Sequence, residues 1–274
     1  MIVIAHFSDT HLDGSRRRAD RAAAVLAYLD ALAAPLDAIL VTGDIADHGL
    51  TAEYEQAREI LSSSAHPVFC CPGNHDDRAA FRAVMLGEDD GAAAAGAPVN
   101  RVHHTAGAVF ALCDSTIPGR DDGLLAEETL SWLDDVLAGR PGVPAFVAFH
   151  HPPARLHSPL ADPIRQSGEG RLARLLDRHP QVAAVLCGHA HMAATTTFAG
   201  RPLLAGPGAA STLLLPWERG GIVDEEAPVA VAFHLLDEQG RVTTHYRTIP
   251  AGPPAGRQGL SPLREGRGVC QRDG

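Results

Sequence analysis

The chain has 274 residues, of which 45% are hydrophobic, and its 23 Lys and Arg against 33 Asp and Glu give a formal net charge of -10. This length is enough for one large domain or two small ones with a sizeable buried core. The negative charge argues against bulk attraction to nucleic acid or to anionic membrane surfaces, so a small anionic substrate would need local positive charge such as metal ions.

Targeting and redox signals are weak along the chain. No apolar run reaches about 18 residues, and the N-terminal apolar stretch lacks a basic segment before it. We therefore expect a cytoplasmic protein without membrane contact. Five cysteines are an odd number, which argues against a disulfide framework. Cys70, Cys71, Cys113 and Cys187 lie in or beside apolar runs, and we interpret them as small core residues.

Short apolar runs alternate with Ala- and Leu-rich stretches over the first two thirds of the chain. This alternation is typical of a β-sheet that is covered by helices on its faces. The pattern predicts strands at 2–8, 37–42, 67–71, 108–113, 144–149 and 182–187, and helices near 18–33, 51–62, 127–138 and 170–178.

The later chain has strand-like runs without helices between them. They predict antiparallel strands, and two sheets packed face to face and flanked by helices would accommodate both parts of the chain. The runs lie at 195–200, 201–206, 229–236 and 241–249.

Two long segments rich in Gly, Ala, Pro or Ser, at 87–98 and 152–168, are predicted loops, and long loops in compact domains are often functional. We predict that the second loop overhangs the strand ends. We further predict a catalytic domain over residues 1–250 and a Gly/Pro/Arg-rich tail over 251–274.

Polar side chains follow five of the predicted strands directly. Because open α/β sheets place their ligands at the carboxyl ends of the strands, we expect these side chains to lie together at one edge. They are Asp9 and His11, then Asp44 and Asp47, then Asn74, His75 and Asp76, then His150 and His151, and finally His189 and His191.

This donor set predicts a metal site. Nitrogen and oxygen donors without sulfur suit Mn, Fe, Zn or Co better than a closed structural zinc site, and there are too many donors for one ion. Residues at i and i+2 of an extended segment face the same side, so Asp9 with His11, and His189 with His191, can each share a metal. Two metals about 3.5–4 Å apart, bridged by a carboxylate and a hydroxide, would form a hydrolytic centre.

Each motif has a simpler explanation when it stands alone. D-x-H and H-x-H are more often turn or capping pairs, HHPP can be a chain exit stiffened by proline, and TGD can begin a helix with Asp near its N-cap. The joint occurrence of all of them, each after an apolar strand, favours the metal site.

In this combination the sequence resembles the calcineurin-like metallophosphoesterases, over nearly the whole chain up to about residue 210. The motifs that carry the resemblance are D-x-H, G-D-x-x-D, G-N-H-D, H-H-P-P and G-H-x-H. Within that superfamily, SDTHL, GNHDDR, DSTIPG and HHPP most resemble the bacterial class III cyclic-nucleotide phosphodiesterases and the related glycerophosphodiesterases. The resemblance implies an α/β fold, a four-layer αββα sandwich of two mixed β-sheets flanked by helices, with a dinuclear site.

The resemblance also implies a ligand set. The cofactors would be two divalent or trivalent metal ions, Mn2+ in vitro, with Fe/Zn or Fe/Mn as alternative pairs. One metal would be held by Asp9, His11 and His191, and the other by Asn74, His150 and His189, with Asp44 bridging them.

His75 follows an implied metal ligand directly, so it is placed to stabilise charge on the phosphate or to protonate the leaving oxygen. Asp47 resembles the superfamily's aspartate that would orient this imidazole and hold it protonated. Our candidates for substrate contacts are Asn74, His75, Arg120, Arg155 and His157.

We therefore expect a dinuclear-metal-dependent phosphodiesterase that hydrolyses small phosphodiesters by attack of a metal-bridging hydroxide. The substrates would be 3',5'-cyclic nucleotides such as cAMP, or glycerophosphodiesters. A phosphomonoesterase or a nucleotide pyrophosphohydrolase on the same site is the alternative, and a non-catalytic metal-bound scaffold ranks below both because every ligand position is filled. The loop RDDGLL after DSTIPG lacks the histidine that close cyclic-nucleotide relatives tend to carry there.

The expected partner is a small phosphodiester substrate, without membrane and without a nucleic-acid polymer, since no basic, aromatic-interleaved groove is visible. A homodimer is also possible. The strands after residue 194 and the apolar stretch 211–217 could supply its interface, and a buried core edge is the equal alternative.

Overall fold

Two large β-sheets form the centre of the structure, a computed structural model that describes residues 1–88 and 96–249. In spatial order the first sheet consists of β15 (Val242–Thr248), β14 (Ala230–Leu236), β1 (Ile2–Phe7), β2 (Ala38–Thr42) and β3 (Val68–Cys71). The second consists of β10 (Ala194–Phe198), β11 (Arg201–Ala205), β9 (Val182–Cys187), β7 (Ala145–Ala148), β5 (Val109–Leu112) and β4 (Arg101–His104). Two short pairs join β12 (Thr212–Leu213) to β13 (Val223–Asp224), and β6 (Gly123–Leu124) to β8 (Gln166–Ser167).

Helices cover the outer face of each sheet. The first sheet packs against α1 (Arg16–Asp30) and α2 (Thr51–Leu61), and the second against α4 (Glu127–Ala138) and α5 (Glu169–Asp177). A short helix α3 (Arg78–Phe81) continues into a π-helical turn at Arg82–Leu86, and a 3-10 turn lies at Asp162–Ile164. The bounds of the four long helices lie within three residues of those predicted.

Alternation along the strands explains the layers. In β1, Ile2 and Ile4 face the second sheet, whereas Ala5 and Phe7 face the helices, as the two-residue period of a strand requires. Between the sheets, Ile2 and Ile4 belong to the same apolar cluster as Phe110 and other residues of the second sheet. The predicted four-layer αββα sandwich is therefore confirmed.

Strand direction sets the position of the loops. β1 pairs with β2, β2 with β3, β5 with β7, and β7 with β9, all in parallel. Their carboxyl ends consequently meet at one edge, as the sequence predicted.

The later strands depart from the prediction of a simple antiparallel run. β10 and β11 extend the second sheet, where β11 runs parallel to β9, whereas β14 and β15 extend the first sheet beside β1. Alternating hydrophobicity reports which residues are buried but not which sheet a strand joins, so the pattern could not separate the two hairpins.

Some predicted features lie outside the described residues. They are residues 89–95 of the predicted loop 87–98, the predicted tail 251–274, and Cys270. The other four cysteines are free, and Cys71, Cys113 and Cys187 are buried. Burial raises the pKa of all four thiols, that of the half-buried Cys70 to about 12, so these residues act as core rather than as thiolates. No helix in the described part of the chain is long and apolar enough to cross a bilayer.

One polar pair interrupts the layer between the sheets. His6 and His234 are fully buried, with His6 Nδ1 3.0 Å from His234 Nε2. Thr42 Oγ1 lies 2.9 Å from His6 Nε2, and Thr244 Oγ1 lies 2.9 Å from His234 Nδ1. Burial lowers the pKa of both rings, to about 3 for His234, so both are neutral at pH 7.

This pair makes stability depend on pH. A histidine with a depressed pKa stabilises the fold above its unfolded-state pKa of about 6.5, and that stability is lost as the pH falls, because the unfolded chain binds the proton first. We expect the free energy of unfolding of His6→Leu/His234→Leu to fall less steeply between pH 6 and pH 4, by up to about 1.4 kcal/mol per pH unit for each imidazole. Urea unfolding in the presence of a chelator measures this slope. The exposed His104→Gln variant should keep the wild-type slope, and an unchanged slope in the double variant would contradict the role of the pair.

Candidate metal centre

Five strand ends bring seven of the predicted side chains together at one edge of the sandwich. These strands are β1, β2 and β3 of the first sheet, and β7 and β9 of the second. The first sheet supplies Asp9, His11, Asp44 and Asn74, and the second supplies His150, His189 and His191.

One group of donors forms around Asp9. Its Oδ1 atom lies 3.3 Å from His191 Nε2 and 4.0 Å from His11 Nε2. The two imidazole nitrogens, His11 Nε2 and His191 Nε2, are 3.1 Å apart. Three donor atoms from two loops, those after β1 and β9, therefore converge on one point.

A second group forms around Asn74. Its Oδ1 atom lies 3.1 Å from His150 Nε2 and 3.1 Å from His189 Nδ1. The two imidazole nitrogens are 3.2 Å apart. His189 and His191 thus belong to different groups, so the prediction that their spacing lets them share one metal is wrong.

Asp44 lies between the two groups. Its Oδ2 atom is 3.5 Å from His11 Nε2 and 3.2 Å from His150 Nε2, so a single carboxylate oxygen contacts both groups. Its other oxygen accepts a hydrogen bond from the backbone N–H of His75 at 2.9 Å. This arrangement is the one expected of a bridging ligand.

The chemistry of the cluster fits divalent metal ions. Asp9 Oδ1, the oxygen that faces His191 and His11, is buried and has no hydrogen-bond partner among the described residues. Buried polar atoms are normally paired, and a buried carboxylate needs a positive neighbour. Nitrogen and oxygen donors that face each other at 3.1 Å to 3.3 Å supply lone pairs for a shared cation.

Hydrogen bonds on the far side of the rings orient two of the imidazoles. His11 Nδ1 donates to Asp47 Oδ1 at 2.9 Å, and His150 Nδ1 donates to the Thr42 carbonyl at 2.8 Å. Because a carboxylate and a carbonyl only accept, the proton lies on Nδ1 and the Nε2 lone pair faces the cluster. His191 Nδ1 makes a similar contact, 2.8 Å from Ser211 Oγ.

The backbone at the cluster is strained. Seven non-glycine residues have positive φ in the described ranges, and five of them are cluster residues. Asp9 and His11 do lie close together, but not as the extended segment that we predicted, because their φ angles are 53° and 43°. Left-handed residues of this kind concentrate at functional sites, where the surrounding structure holds them.

Gly43, in the TGD motif, has a positive φ of 87° and lies against a ligand ring. A Cβ atom built at this position would overlap the imidazole of His150, with its Cγ atom 2.6 Å away. The motif therefore needs glycine here so that the loop after β2 can approach the second sheet.

The carboxylates of the cluster raise the pKa values of two of its histidines. Burial would lower the pKa of His150, but the charge and hydrogen bond of Asp44 outweigh it and raise the pKa to about 9. Burial would also lower the pKa of His11, but the carboxylates of Asp47, Asp44 and Asp9 outweigh burial and raise this pKa. Protons and metal ions compete for the same lone pairs, so metal binding here releases protons.

His75 lies at the rim of the cluster, and its side chain is 43% exposed. Its Nδ1 donates to the backbone carbonyl of Asp47 at 2.8 Å. The Asp47 carboxylate lies 4.0 Å from the same nitrogen and instead contacts His11. Asp47 therefore positions two imidazoles with two different groups, and the contact to His75 that we predicted runs mainly through the backbone.

Arg18 was absent from the predicted site. Its Nη1 atom donates to Asp47 Oδ1 at 2.7 Å and to the backbone carbonyl of His11 at 2.7 Å. It thus clamps the two loops that follow β1 and β2. The sequence does contain one indication that an arginine here has a partner. The first turn of α1 carries three arginines and no acidic residue, whereas a helix N-terminus favours negative charge.

Asp76 was grouped with the predicted site but given no role. Its carboxylate accepts from the backbone N–H of Ile45, Ala46 and Gly73 and from the hydroxyl of Tyr54, at 2.8–3.1 Å. Burial and the nearby charge of Asp44 raise the pKa of Asp76 to about 6. Asp76 therefore ties the loop after β2 to the loop after β3.

Three predicted substrate contacts do not reach the cluster. A cavity of about 260 Å³ opens over the cluster, and Asn74 and His75 line it. The other three predicted contacts, Arg120, Arg155 and His157, do not line it. Arg155 and His157 line a separate cavity of about 710 Å³, where Asp162 accepts from the backbone N–H of Leu156 and His157 and holds this part of the loop away from the cluster. Arg120 pairs with Asp122 at 2.7 Å.

Comparisons with known proteins identify the family of the chain. The family model described as Calcineurin-like phosphoesterase matches residues 2–193. A probable cyclic nucleotide phosphodiesterase of Rhodococcus erythropolis is 35% identical over 260 residues, which cover 91% of this chain and 83% of that protein. A glycerophosphodiester phosphodiesterase, GpdQ, of Enterobacter lignolyticus is 32% identical over 216 residues, or 72% of this chain and 73% of that protein.

Among solved structures, a dimetal phosphatase from Danio rerio matches with a TM-score of 0.67 and 15% identity, covering 91% of this chain and 99% of that one. At this identity the likeness bears on the fold alone.

The clamp formed by Arg18 predicts a loss of metal affinity when its charge is removed. We expect Arg18→Met to bind Mn2+ about 10–100-fold more weakly than wild type, because Asp47 then no longer holds the His11 ring in place. Competition with a chromogenic chelator measures the dissociation constant, and circular dichroism checks the fold. Arg16→Met, in the same helical turn but 92% exposed, is the matched control. Equal affinities of the two variants would contradict the clamp.

Proposed function

Because the chain belongs to the calcineurin-like phosphoesterase family, we propose that it is a metal-dependent phosphodiesterase acting on small phosphodiesters. The substrates would be 3',5'-cyclic nucleotides or glycerophosphodiesters, the compounds named for its relatives. The observation that carries the proposal is Asp44 Oδ2, which contacts donors of both groups at 3.5 Å and 3.2 Å. A carboxylate shared in this way is what a two-metal hydrolytic site requires.

The proposed ligands follow the two groups of donors. When bound, the cations would supply Lewis acidity and lower the pKa of the attacking water. One ion would be held by Asp9, His11 and His191, a second by Asn74, His150 and His189, and Asp44 would contact both.

His75 would act on the leaving group. Its Nδ1–H is donated to the Asp47 carbonyl, so Nε2 is the ring nitrogen that would exchange a proton at the rim of the cavity, and it carries that proton in the imidazolium form. A histidine in this position can donate that proton to the leaving oxygen, or stabilise charge on the phosphate.

The other charges of the cavity favour a diester over a pyrophosphate. Arg17 lines the cavity but pairs with Glu225 at 2.6 Å and with Glu226 at 2.9 Å. Arg18 also lines it and pairs with Asp47. Apart from His75, positive charge for the substrate would therefore come from the metal ions, which suits one phosphoryl group with a single negative charge.

The proposed activity is tested with chelator-stripped protein before and after addition of Mn2+. We expect hydrolysis of bis(p-nitrophenyl) phosphate to depend on the metal and to exceed hydrolysis of p-nitrophenyl phosphate by at least about tenfold in kcat/KM, or about 1.4 kcal/mol of transition-state free energy. A preference for the monoester, or the absence of a metal-dependent rate on either substrate, would overturn the proposal.

The roles of His75 and Asp44 separate in a second experiment. We expect His75→Ala to retain Mn2+ affinity but to lose about 10²–10⁴-fold in kcat on a diester with an alkyl leaving group, which needs protonation. Asp44→Asn should instead lose metal affinity, because the shared negative charge is removed. Calorimetric Mn2+ titration and kcat are measured together, with the exposed His104→Ala as control. Normal turnover of the alkyl diester by His75→Ala would rule out the acid role.

A further inference from the structure

The cavity over the cluster has two chemically different sides. Its floor is the polar cluster already described, whereas one wall is apolar. The wall comes from two segments that are distant in sequence, the loop after β7 and the β12–β13 pair. Its side chains are Leu160, Ala161, Ile164, Leu213 and Val223.

Two side chains of this wall stay uncovered. Leu160 is 44% exposed and Val223 is 42% exposed, although Ala161 and Leu213 beside them are buried. Of the seven large apolar side chains exposed in the described ranges, four lie on these same two segments: Leu160, Trp217, Ile222 and Val223. Leu160 and Val223 line this cavity, whereas Trp217 lines the separate cavity beside Arg155. Apolar surface left in water costs roughly 25 cal/mol per Å², so the two side chains at this cavity favour an apolar occupant.

The wall is held in place without a ligand. Asp162 accepts from the backbone N–H of Leu156 at 2.8 Å, and its own N–H bonds to the Ser158 carbonyl at 3.0 Å, which fixes the loop around Leu160. Val223 is paired with Leu213 across the short strands. Because these contacts exist before binding, an occupant would lose little free energy in ordering the wall.

Polar occupants would find few partners at this wall. The nearest hydroxyl in the cavity, that of Ser211, is already engaged by His191 Nδ1 at 2.8 Å. Arg17 is paired with two carboxylates, so this end of the cavity carries excess negative charge. A polyol would lose more hydrogen bonds to water than this wall returns, because Arg17 and Glu225 are already paired with each other, and a second anionic group would be repelled.

We infer that Leu160 and Val223 form a subsite for an apolar ester group, so that the chain binds a phosphodiester with an aromatic substituent more tightly than one whose substituents are too small to reach this wall. This inference rests on the proposed function, because it places the phosphoryl group on the cluster and the ester group against the wall. The two side chains determine specificity and take no part in the chemical step.

The test compares two small phosphodiesters as ligands of the Mn2+-loaded protein. Dimethyl phosphate and diphenyl phosphate are each symmetric, so the apolar group is presented whichever ester faces the wall. Calorimetry gives their dissociation constants for wild type, Leu160→Ser, Val223→Ser and the double variant. Ile222→Ser is the matched control, since Ile222 is a neighbour of Val223 and is exposed but does not line the cavity.

We expect wild type to bind diphenyl phosphate at least about tenfold more tightly than dimethyl phosphate, and the double variant to lose most of this ratio. Each single variant should lose part of this ratio. If circular dichroism shows that the double variant does not fold, the two single variants serve as the test of the subsite. The control should keep the wild-type ratio. A ratio that is unchanged in the Leu160 and Val223 variants, or lost equally in the control, would overturn the subsite.

Turnover separates this inference from the proposed function. If wild type hydrolyses bis(p-nitrophenyl) phosphate but shows no variant-sensitive binding ratio, the subsite is wrong and the phosphodiesterase stands. If the ratio is present but no metal-dependent hydrolysis occurs, the subsite stands and the proposed reaction is wrong.

Discussion

Two carboxylates, those of Asp9 and Asp44, are buried where the two sheets meet, and the rest of the centre is arranged around them. A carboxylate removed from water needs a positive or hydrogen-bonding neighbour, since its desolvation costs far more than an ordinary contact returns. The side chains around the two carboxylates supply these neighbours, and other side chains hold those neighbours in place. Imidazoles lie against the carboxylates, acceptors hold two of those imidazoles in one tautomer, and Arg18 secures Asp47 in turn.

The strained backbone shows that this centre is organised by the fold itself. Left-handed non-glycine residues cost about 1–3 kcal/mol each and persist only where surrounding structure determines them. Here that structure is extensive, because apolar clusters fill both faces of the first sheet and both faces of the second. The donor geometry is therefore built into the loops, and the stability of the sandwich sustains it. Asp76 contributes by joining two of these loops with a single carboxylate.

Much of the fold and of the cluster could be predicted from sequence because both depend on period and position. Apolar alternation located the buried strands, and polar residues directly after them identified the edge where all seven donors meet. Contacts set by three-dimensional loop paths were not accessible in this way. Arg18 reaches Asp47 from a different element, and Arg155 and His157 lie beside a neighbouring cavity, where Asp162 holds their loop. Spacing alone likewise placed His189 with His191, although the two side chains lie in different groups of donors.

The donors are divided between the two sheets, and this division has a mechanical consequence. Any cation held jointly by His11 and His191, or by Asn74 and His150, bridges the sandwich at its edge. The sheets could then not separate there without breaking coordination bonds, so the binding free energy of the ion is added to the cohesion between them. A bound cation would accordingly act as a clasp between the two sheets, and the free energy of unfolding would rise with the concentration of the free ion.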